Sequence, residues 1–310
     1  MARSRLAFFR RVMMSRTRNV EGTTRAFGGR NPLKGRPFVK MSGGGNDFVV
    51  FDNREGWFPK DRAPDLVARV CRRGLGVGVD AVLLLEEDAE ADIRMAYYNA
   101  DGGEAPMCGN GALCIARYAR MEGAVDGDTM HLATGFGTFR ARVPDARKSA
   151  VTLWLVPPRG LALGHADLEK PPYRRVGFLD TSTPHVVALV DDVEGHDVIG
   201  EGRRLRRDPR WDPPGVNANF VAVLDRRTIR MRTYERGVEG ETLSCGTGAT
   251  ASALMTALWG LTEPPVTVRT TGGIPLVVDF TVPLERGALP TDPRLTGDAR
   301  VVFRGNLEEV

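Results

Sequence analysis

Two segments of the chain repeat one order of apolar and polar positions. Each starts with a strand-like run, at 93–99 in the first segment and at 229–235 in the second. A glycine-rich turn follows, and then a stretch with apolar residues at helical spacing, which predicts a buried helix. The cysteine before each helix lies 15 residues after the first isoleucine in one segment and 16 in the other. The pattern therefore predicts a duplicated strand, turn and helix.

Further strand-like runs surround these two segments. The predicted strands span 38–41, 47–52, 79–85, 93–98, 129–143, 150–156, 186–190, 219–224, 228–234, 266–270, 275–282 and 299–304. Another helix is predicted at 61–72, and Gly123 and Gly260 are expected to end the two repeated helices. Each half is thus predicted to be a set of strands around one apolar helix, with the last strand pairing back with the first half.

Each repeated helix is preceded by a cysteine in a glycine-rich context. The sequence reads Cys-Gly-Asn-Gly from Cys108 and Cys-Gly-Thr-Gly from Cys245. A helix N-terminus offers free backbone N–H groups and a partial positive charge, which bind a carboxylate and lower the pKa of a thiol. Two such thiols at one cleft would suit inversion of a stereocentre, because one group removes a proton and the other returns one on the opposite face. The repeat therefore predicts two-base chemistry.

The composition is typical of a soluble globular protein. Hydrophobic residues make up 42% and charged residues 26% of the 310 positions, and no apolar run is long enough to span a bilayer. The four cysteines include no CxxC pair and no zinc-ligand spacing, which argues against a disulfide framework, a metal site or a redox motif. We therefore expect a reducing, cytoplasmic location.

Charge is distributed unevenly along the chain. Residues 1–36 contain ten Arg or Lys and one acidic residue, whereas the remaining 274 residues contain 33 basic and 38 acidic side chains. The main body therefore lacks the basic balance that is typical of nucleic-acid binding. We expect residues 1–36 to form a disordered basic extension that catalysis does not need. A transit peptide and a start codon assigned too far upstream are the alternative interpretations.

The lysines argue against pyridoxal phosphate, which needs a lysine in a defined site for its Schiff base. None of the five lysines stands in a motif-like context; they are Lys34, Lys40, Lys60, Lys148 and Lys170. We therefore expect neither a cofactor nor a metal.

An ordered set of motifs carries a resemblance to a known family. The motifs are Gly45-Asn46-Asp47-Phe48, Asn99-Ala100-Asp101-Gly102, Cys108-Gly109-Asn110-Gly111, Pro184-His185, Asn217, Glu235-Arg236-Gly237 and the run at 241–248. Through them, residues 37–305 resemble diaminopimelate epimerase, which interconverts LL- and meso-diaminopimelate without a cofactor. The resemblance implies an α/β (α+β) fold of two pseudo-symmetric domains, each a barrel-like sheet around a central helix, with the site between them.

The resemblance also implies an organisation of the chain and its partners. The N-terminal domain would span 37–148 and be completed by a returning strand at 297–310, and the C-terminal domain would span 149–296. A homodimer that acts on a small amino-acid substrate is implied, with no nucleic-acid or membrane partner.

The same motifs imply roles for individual residues. Cys108 and Cys245 would be the acid–base pair, and His185 and Glu235 would tune their protonation. Backbone N–H groups would hold the reacting carboxylate, and polar side chains would bind the rest of the substrate. The implied substrate-binding residues are Asn46, Asn99, Gly109, Asn110, Asn217, Glu235, Arg236, Gly246 and Thr247.

Four positions depart from the family's usual residues. Ser42 stands where His is usual, and Leu113 stands where Arg is common. Ala81 replaces a substrate-binding Gln of many members, and Thr183 replaces an Asn. The last two concern recognition of the distal end of the substrate rather than the reaction.

Two alternative interpretations stay open. One is a racemase or isomerase of another amino or carboxylic acid on the same fold, and the other is a non-catalytic amino-acid-binding relative. Asn110 argues against proline racemase, which typically has His there, and the two thiols argue against phenazine-type isomerases, which lack them. Proton exchange from D₂O into the substrate would separate a catalyst from a binding protein.

Overall fold

The structure is a computed structural model that describes residues 31–211, 215–283, 285 and 288–309. One compact unit extends over Leu33–Val310. The predicted basic extension lies mostly outside the described residues, which include only 31–36 of it. Within the described ranges, no helix is long and apolar enough to cross a membrane.

The order of strands and α-helices in the first half is repeated in the second, which has one further strand, β9, at its start. The first half comprises β1 (Pro37–Gly43), β2 (Asn46–Asp52), a 3-10 turn (Lys60–Arg62), α1 (Ala63–Cys71), β3 (Ala81–Glu86), β4 (Ile93–Asn99), β5 (Glu104–Ala105), α2 (Gly109–Met121), β6 (Thr129–Thr134), β7 (Gly137–Arg142) and β8 (Ala150–Trp154). The second half comprises β9 (Arg159–Ala162), β10 (Tyr173–Asp180), β11 (Pro184–Val190), α3 (Val198–Arg206), a 3-10 turn (Pro209–Trp211), β12 (Asn217–Asp225), β13 (Thr228–Glu235), β14 (Gly240–Thr242), α4 (Gly246–Leu258), β15 (Val266–Arg269), β16 (Leu276–Thr281) and β17 (Thr291–Asn306).

Strand pairing follows the same scheme in both halves. β2 runs parallel to β3 and β4 runs parallel to β6. In the second half, β11 runs parallel to β12 and β13 runs parallel to β15. The duplication inferred from two short segments therefore extends over the whole fold. The predicted pseudo-symmetric, two-domain α+β architecture is confirmed.

Eight strands close into a barrel around α2. The strands β1, β2, β3, β4, β6, β7, β8 and β17 pair in that order, and β17 pairs again with β1. Apolar residues of α2, such as Leu113 and Ile115, form one core with residues of these strands. Residues of α4, such as Leu254 and Met255, form a second core with the strands of the other half. The interior of each strand set is thus filled by an apolar helix.

The outer helices α1 and α3 build two further cores on the outside of the strands. Leu66 and Val70 of α1 pack with residues of β2, β3 and β4. Val198 and Leu205 of α3 pack with residues of β11 and β12. The outer helices thus cover the outer face of some strands, whereas β7 alternates buried and exposed side chains.

The last strand is longer than predicted and joins the two halves. The prediction covered 299–304, whereas β17 spans Thr291–Asn306. Its first part pairs with β16 and β8, and its last part pairs with β1. The predicted return to the first half is confirmed. Residues 291–298 are mostly polar, glycine or proline, so the hydrophobic pattern did not reveal the start of this strand.

Other differences from the predicted elements have local causes. The single strand predicted at 129–143 is a hairpin of β6 and β7. The sequence pattern missed α3, which buries only Val198, Gly202 and Leu205 and so has a weak apolar period. It also missed β10, in which a register shift between Tyr173 and Arg175 breaks the alternation.

Arg117 connects the inner helix α2 to β17. The side chain is buried, and its guanidinium donates to the backbone carbonyl oxygens of Ala299 at 2.5 Å, Ala146 at 3.1 Å and Arg147 at 3.4 Å. We expect Arg117→Leu to lower the free energy of unfolding by about 2–4 kcal/mol, because these acceptors lose a charged donor. Urea unfolding measures this loss.

The control for this variant is Arg142→Leu. Arg142 forms an exposed ion pair with Asp128 at 2.8 Å, so its removal should cost less than about 1 kcal/mol. Equal losses in the two variants would show that the buried contacts of Arg117 do not stabilise the fold.

Candidate active site

One cleft lies at the N-terminal ends of α2 and α4. Its volume is about 690 Å³, residues of both halves line it, and the two helices contact one another. The predicted site residues in its lining are Asn46, Asn99, Cys108, Gly109, Asn110, Glu235, Cys245, Gly246 and Thr247. The structure thus brings together most of the residues that the resemblance placed in the site.

Both cysteines occupy the N-cap position of their helix. Cys108 precedes α2 with φ −141° and ψ 119°, and Cys245 precedes α4 with φ −134° and ψ 110°. This extended backbone leaves each side chain beside the first free N–H groups of the helix. The backbone N–H of Gly248 donates to Cys245 Sγ at 3.4 Å. The two halves therefore present their thiols to the cleft with nearly the same local geometry.

Burial opposes the acidity expected of these thiols. It raises the pKa of Cys108 and raises the pKa of Cys245 to about 12. The nearby Glu235 carboxylate also raises both values, while backbone N–H groups at the helix ends lower them. The helix ends do not outweigh burial. The expectation of a lowered thiol pKa is therefore wrong for both cysteines, which are held protonated at neutral pH.

Glu235 is the carboxylate that acts on both thiols. It lies at the end of β13 and lines the cleft. Burial raises the pKa of Glu235 as well. The cleft therefore contains three groups, one carboxyl and two thiols, whose surroundings all favour the protonated form. A ligand that brings positive charge would shift all three towards proton loss.

The side chain of Asn110 is held by the turn between β1 and β2. Its Nδ2 donates to Asn46 Oδ1 at 2.9 Å and to the carbonyl oxygen of Gly44 at 3.4 Å. Asn46 Nδ2 donates in turn to Asp80 at 3.1 Å. Gly44 has φ +55°, and a Cβ there would collide with the Asn110 amide. Asn110 Oδ1 is buried and has no hydrogen-bond partner among the described residues.

Three predicted site residues are absent from the described lining of the cleft: His185, Asn217 and Arg236. His185 on β11 is fully buried, and its Nε2 lies 3.0 Å from Thr247 Oγ1. Asn217 on β12 is buried, and its Oδ1 accepts from the backbone N–H of Arg236 at 2.8 Å. Burial, with a contribution from the charge of Arg236, lowers the pKa of His185 to about 3. His185 is therefore neutral at physiological pH and contacts the cleft lining through Thr247.

The cleft lining also includes residues that the sequence analysis left out. Tyr97 and Asp80 are two of them. Tyr97 alternates with Tyr98 on β4 and shares its face with Met95, which packs around α2, so the period of two could have placed it inside the barrel. Of the two departures at the distal end, Thr183 lines the cleft, whereas Ala81 is fully buried in β3.

The chemistry available at the cleft is that of side chains. No lysine is among its described lining residues. No group of three or more His, Cys, Asp or Glu side chains in the described part of the chain could hold a metal ion. What the cleft does offer is two thiols at two helix ends, with one carboxyl close to both.

Comparison with known proteins gives the family. The family model described as Diaminopimelate epimerase matches residues 38–153 and 177–282. A diaminopimelate epimerase of Gemmatimonas aurantiaca is 39% identical over 275 residues, which cover 87% of this chain and 98% of the relative. One of Aquifex aeolicus is 39% identical over 281 residues, which cover 88% and 98%.

Solved structures of more distant proteins show the same fold. A phenazine biosynthesis protein of the PhzF family from Bacillus anthracis gives a TM-score of 0.64 at 14% identity and covers 88% of this chain and 98% of its own. A probable proline racemase from Agrobacterium radiobacter K84 gives 0.59 at 18% identity, with 88% and 92% covered. At these identities only the fold is shared. The family match and the relatives that align over nearly their whole length show that the chain belongs to the diaminopimelate epimerase family of isomerases.

Proposed function

We propose that this protein interconverts LL- and meso-diaminopimelate, with Cys108 and Cys245 acting on opposite faces of one α-carbon. The observation that supports this best is the pair of cysteine N-caps with matching backbone geometry at a single cleft. One thiolate removes the α-proton and the other thiol returns a proton on the opposite face, which inverts the carbon. No cofactor and no metal take part.

The reacting carboxylate binds between the two helix ends. Backbone N–H groups of Gly109, Asn110, Gly246 and Thr247 lie in the first turns of α2 and α4, where such groups lack partners within the helix. Two positive helix ends attract the anion. They also stabilise the additional negative charge that develops there when the α-proton leaves.

Substrate binding generates the base. Burial and Glu235 keep both thiols protonated, so abstraction needs a change in the local charge. The α-ammonium group of the substrate supplies that charge and lowers the thiol pKa values. Glu235, whose own pKa burial raises, accepts the proton that a thiol releases. The site is therefore inactive as a base until an amino acid occupies it.

Side-chain amides bind the polar groups of the substrate. Asn46, Asn99 and Asn110 line the cleft, where they can form hydrogen bonds with the substrate. Asn217 and Arg236 support the second-half wall through their mutual hydrogen bond. With Thr183 at the cleft and Ala81 buried, recognition of the distal end relies on a hydroxyl where many members have an amide.

We also infer the domain boundaries and the biological setting. The N-terminal domain spans 37–148 with 297–310, and the C-terminal domain spans 149–296, since separate cores surround α2 and α4. The family name supports a place in lysine biosynthesis. We further propose that the protein supplies peptidoglycan precursors and acts in the cytoplasm as a homodimer. Sedimentation velocity tests the dimer.

The proposed activity is tested by incubating the reduced protein with LL-diaminopimelate and separating the epimers by chiral chromatography. Conversion without an added cofactor, and persisting after dialysis against EDTA, is the expected result. Proton exchange at the α-carbon in D₂O should accompany it. Exchange with another amino acid, and none with diaminopimelate, would favour the alternative of a different racemase.

The first prediction from the proposed function concerns the two thiols. Cys108→Ala and Cys245→Ala should each lose at least about 10²–10⁴-fold in epimerisation in both directions, because each thiol serves one face of the carbon. With a diaminopimelate analogue that carries a leaving group on the β-carbon, α-proton removal expels that group and no reprotonation is needed. Each variant should then process one epimer only, and the two variants should prefer opposite epimers.

The buried Cys114, which lies six residues further along the chain than Cys108, provides the control. Cys114→Ala should still epimerise diaminopimelate in both directions and should still eliminate the leaving group from both epimers of the analogue. If the two single variants eliminate from the same epimer, or if either epimerises at a near-wild-type rate, the two-thiol mechanism is wrong.

The second prediction concerns oxidation. Two thiols that flank one carbon are close enough to form a disulfide after modest closure. A mild oxidant should therefore inactivate the enzyme, and dithiothreitol should restore it. Mass spectrometry of the inactive form should find the Cys108–Cys245 linkage, in the wild type and equally in a Cys71→Ala control. Inactivation without that linkage contradicts the prediction.

The third prediction concerns the turn that holds Asn110. Gly44→Ala should lower kcat/KM by at least about tenfold, because the new Cβ displaces the Asn110 amide from the cleft wall. Gly123→Ala is the control: its φ of +66° imposes similar backbone strain, but its Cβ meets nothing within 4 Å. Gly44→Ala should lose at least as much stability in urea as Gly123→Ala, because the collision with Asn110 adds to the backbone strain that both share. Equal kcat/KM in the two variants would remove Asn110 from the binding site.

A further inference from the structure

A chain of buried polar side chains leads from β13 to Cys245. Thr233 and Asn219 are register partners on β13 and β12, and Thr233 Oγ1 donates to Asn219 Oδ1 at 3.0 Å. Asn219 Nδ2 lies 3.0 Å from His185 Nδ1. His185 Nε2 lies 3.0 Å from Thr247 Oγ1, which lies 3.5 Å from Cys245 Sγ. We refer to these contacts as the Asn219 chain.

The hydrogen bonds fix the direction of donation along the Asn219 chain. Asn219 Nδ2 also donates to the carbonyl oxygen of Val186 at 3.0 Å, and Oδ1 accepts from Thr233, so the amide has one orientation. His185 Nδ1 must then accept, which places the proton of the neutral ring on Nε2. That N–H donates to Thr247 Oγ1. The hydroxyl proton of Thr247 is thereby left to point at Cys245 Sγ.

The charged groups around the Asn219 chain keep it neutral. Arg236 is the charged group that acts on His185, and it adds to the effect of burial in disfavouring the imidazolium. Glu235 and the other thiol, Cys108, face Cys245 and raise its pKa, whereas the hydroxyl of Thr247 lowers it. His185 therefore cannot supply or take up the reacting proton near pH 7. Its function must be one of orientation.

Among the described residues, the first half has no equivalent of this chain, as the strand registers show. His185 pairs with Asn217 across β11 and β12 where Phe48 pairs with Ala81 across β2 and β3. Two residues along, Asn219 corresponds to Leu83. The surroundings of the glycine three residues after each cysteine support this correspondence. A Cβ on Gly248 would meet Asn219 and Cys245. A Cβ on Gly111 would meet Leu83 and Cys108.

The residue two positions after each cysteine also differs between the halves. Thr247 turns its hydroxyl towards Cys245, whereas Asn110 turns its Nδ2 towards Gly44 and Asn46. On the first-half side, burial raises the pKa of Cys108, and the phenol of Tyr97 is the side chain that opposes this effect. Two thiols with matching backbone geometry thus have different hydroxyl neighbours.

We propose that Asn219 is a positioning residue which, through neutral His185, holds the Thr247 hydroxyl as a donor to Cys245 and so stabilises the thiolate of that cysteine alone. For catalysis, the inference rests on the proposed two-thiol function. In that function, Cys245 would be the thiol whose thiolate form is stabilised in advance by a hydrogen bond. For the state of the thiols it stands independently, since it can be measured without substrate.

The test measures the pH dependence of alkylation of each cysteine by iodoacetamide, read by peptide mass spectrometry. Thr247→Val should raise the pKa of Cys245 by about one to two units, the effect of losing a hydrogen bond to a charged group. Because burial already places this pKa far above neutrality, the shift is measured as the alkylation rate between pH 7 and 9. Below the pKa this corresponds to a 10–100-fold slower reaction. Cys108 should keep its profile, and Thr247→Ser should restore the profile of Cys245.

Asn219→Leu installs the residue that the first half uses at the equivalent position. It should shift the alkylation profile of Cys245 in the same direction as Thr247→Val and leave Cys108 unchanged. Tyr97→Phe is the matched variant on the other side and should shift Cys108 alone. Melting curves confirm that each variant is folded. Equal shifts of both cysteines, or an unchanged Cys245 in Thr247→Val, would overturn the proposal.

A spectroscopic measurement tests the tautomer itself. The protein has four histidines, so ¹⁵N-histidine NMR spectra of the wild type and of His185→Gln assign the ring of His185. We expect a protonated Nε2 and an unprotonated Nδ1 that do not change between pH 5 and 8, and a changed pattern in Asn219→Leu. A charged or Nδ1-protonated His185 in the wild type would refute the chain. Absent epimerase activity with these signatures intact would instead refute the proposed function.

Discussion

Cys245 is buried and Cys108 is half-buried, each at the start of a helix that fills a strand set from within, and the properties of the site depend on that burial. A helix that packs on all sides must be apolar, and only its end can reach a cleft. Its first turn therefore delivers free N–H groups, glycines for close approach and one thiol to the same point. Burial strengthens every interaction there, and for the same reason it holds the thiols protonated.

Two such helix ends can act on one carbon only if the halves keep a fixed relation. β17 provides this by pairing with β16 and β8 in its first part and with β1 in its last. Arg117 attaches α2 to the same strand through Ala299. Because the joining element is a strand in both hydrogen-bonded sets, the separation of the helix ends is set by the fold rather than by a linker.

The pseudo-symmetry of the backbone is broken at the side chains. A duplicated backbone supplies two helix ends and two thiols with similar dihedral angles. An epimerase of this kind handles two different substrates, LL and meso, and so gains nothing from identical thiols. Phe48 and Leu83 make an apolar support in one half, where His185 and Asn219 make a polar one in the other. The same fold can thus give its two thiols different proton affinities.

The sequence by itself determined the local elements of the site. The apolar spacing placed both inner helices within a residue or two of their observed bounds, and the motifs selected nine residues that line the cleft. These features are local, because a cap, a glycine turn and an apolar stripe are written in consecutive residues. The extent of β17 and the existence of α3 were not determined in this way, since polar residues or a weak apolar period hid them.

The tertiary structure decided the protonation of the site. Nothing in the residues next to Cys108 and Cys245 indicates that burial outweighs the helix ends, because the residues that exclude water come from both halves. The link from Asn219 to Cys245 is likewise absent from any single motif: its members lie on β11, β12 and β13 and at the start of α4, up to 62 residues apart at one hydrogen bond. A pKa depends on the distances between groups and on access to water, and only the folded chain sets those.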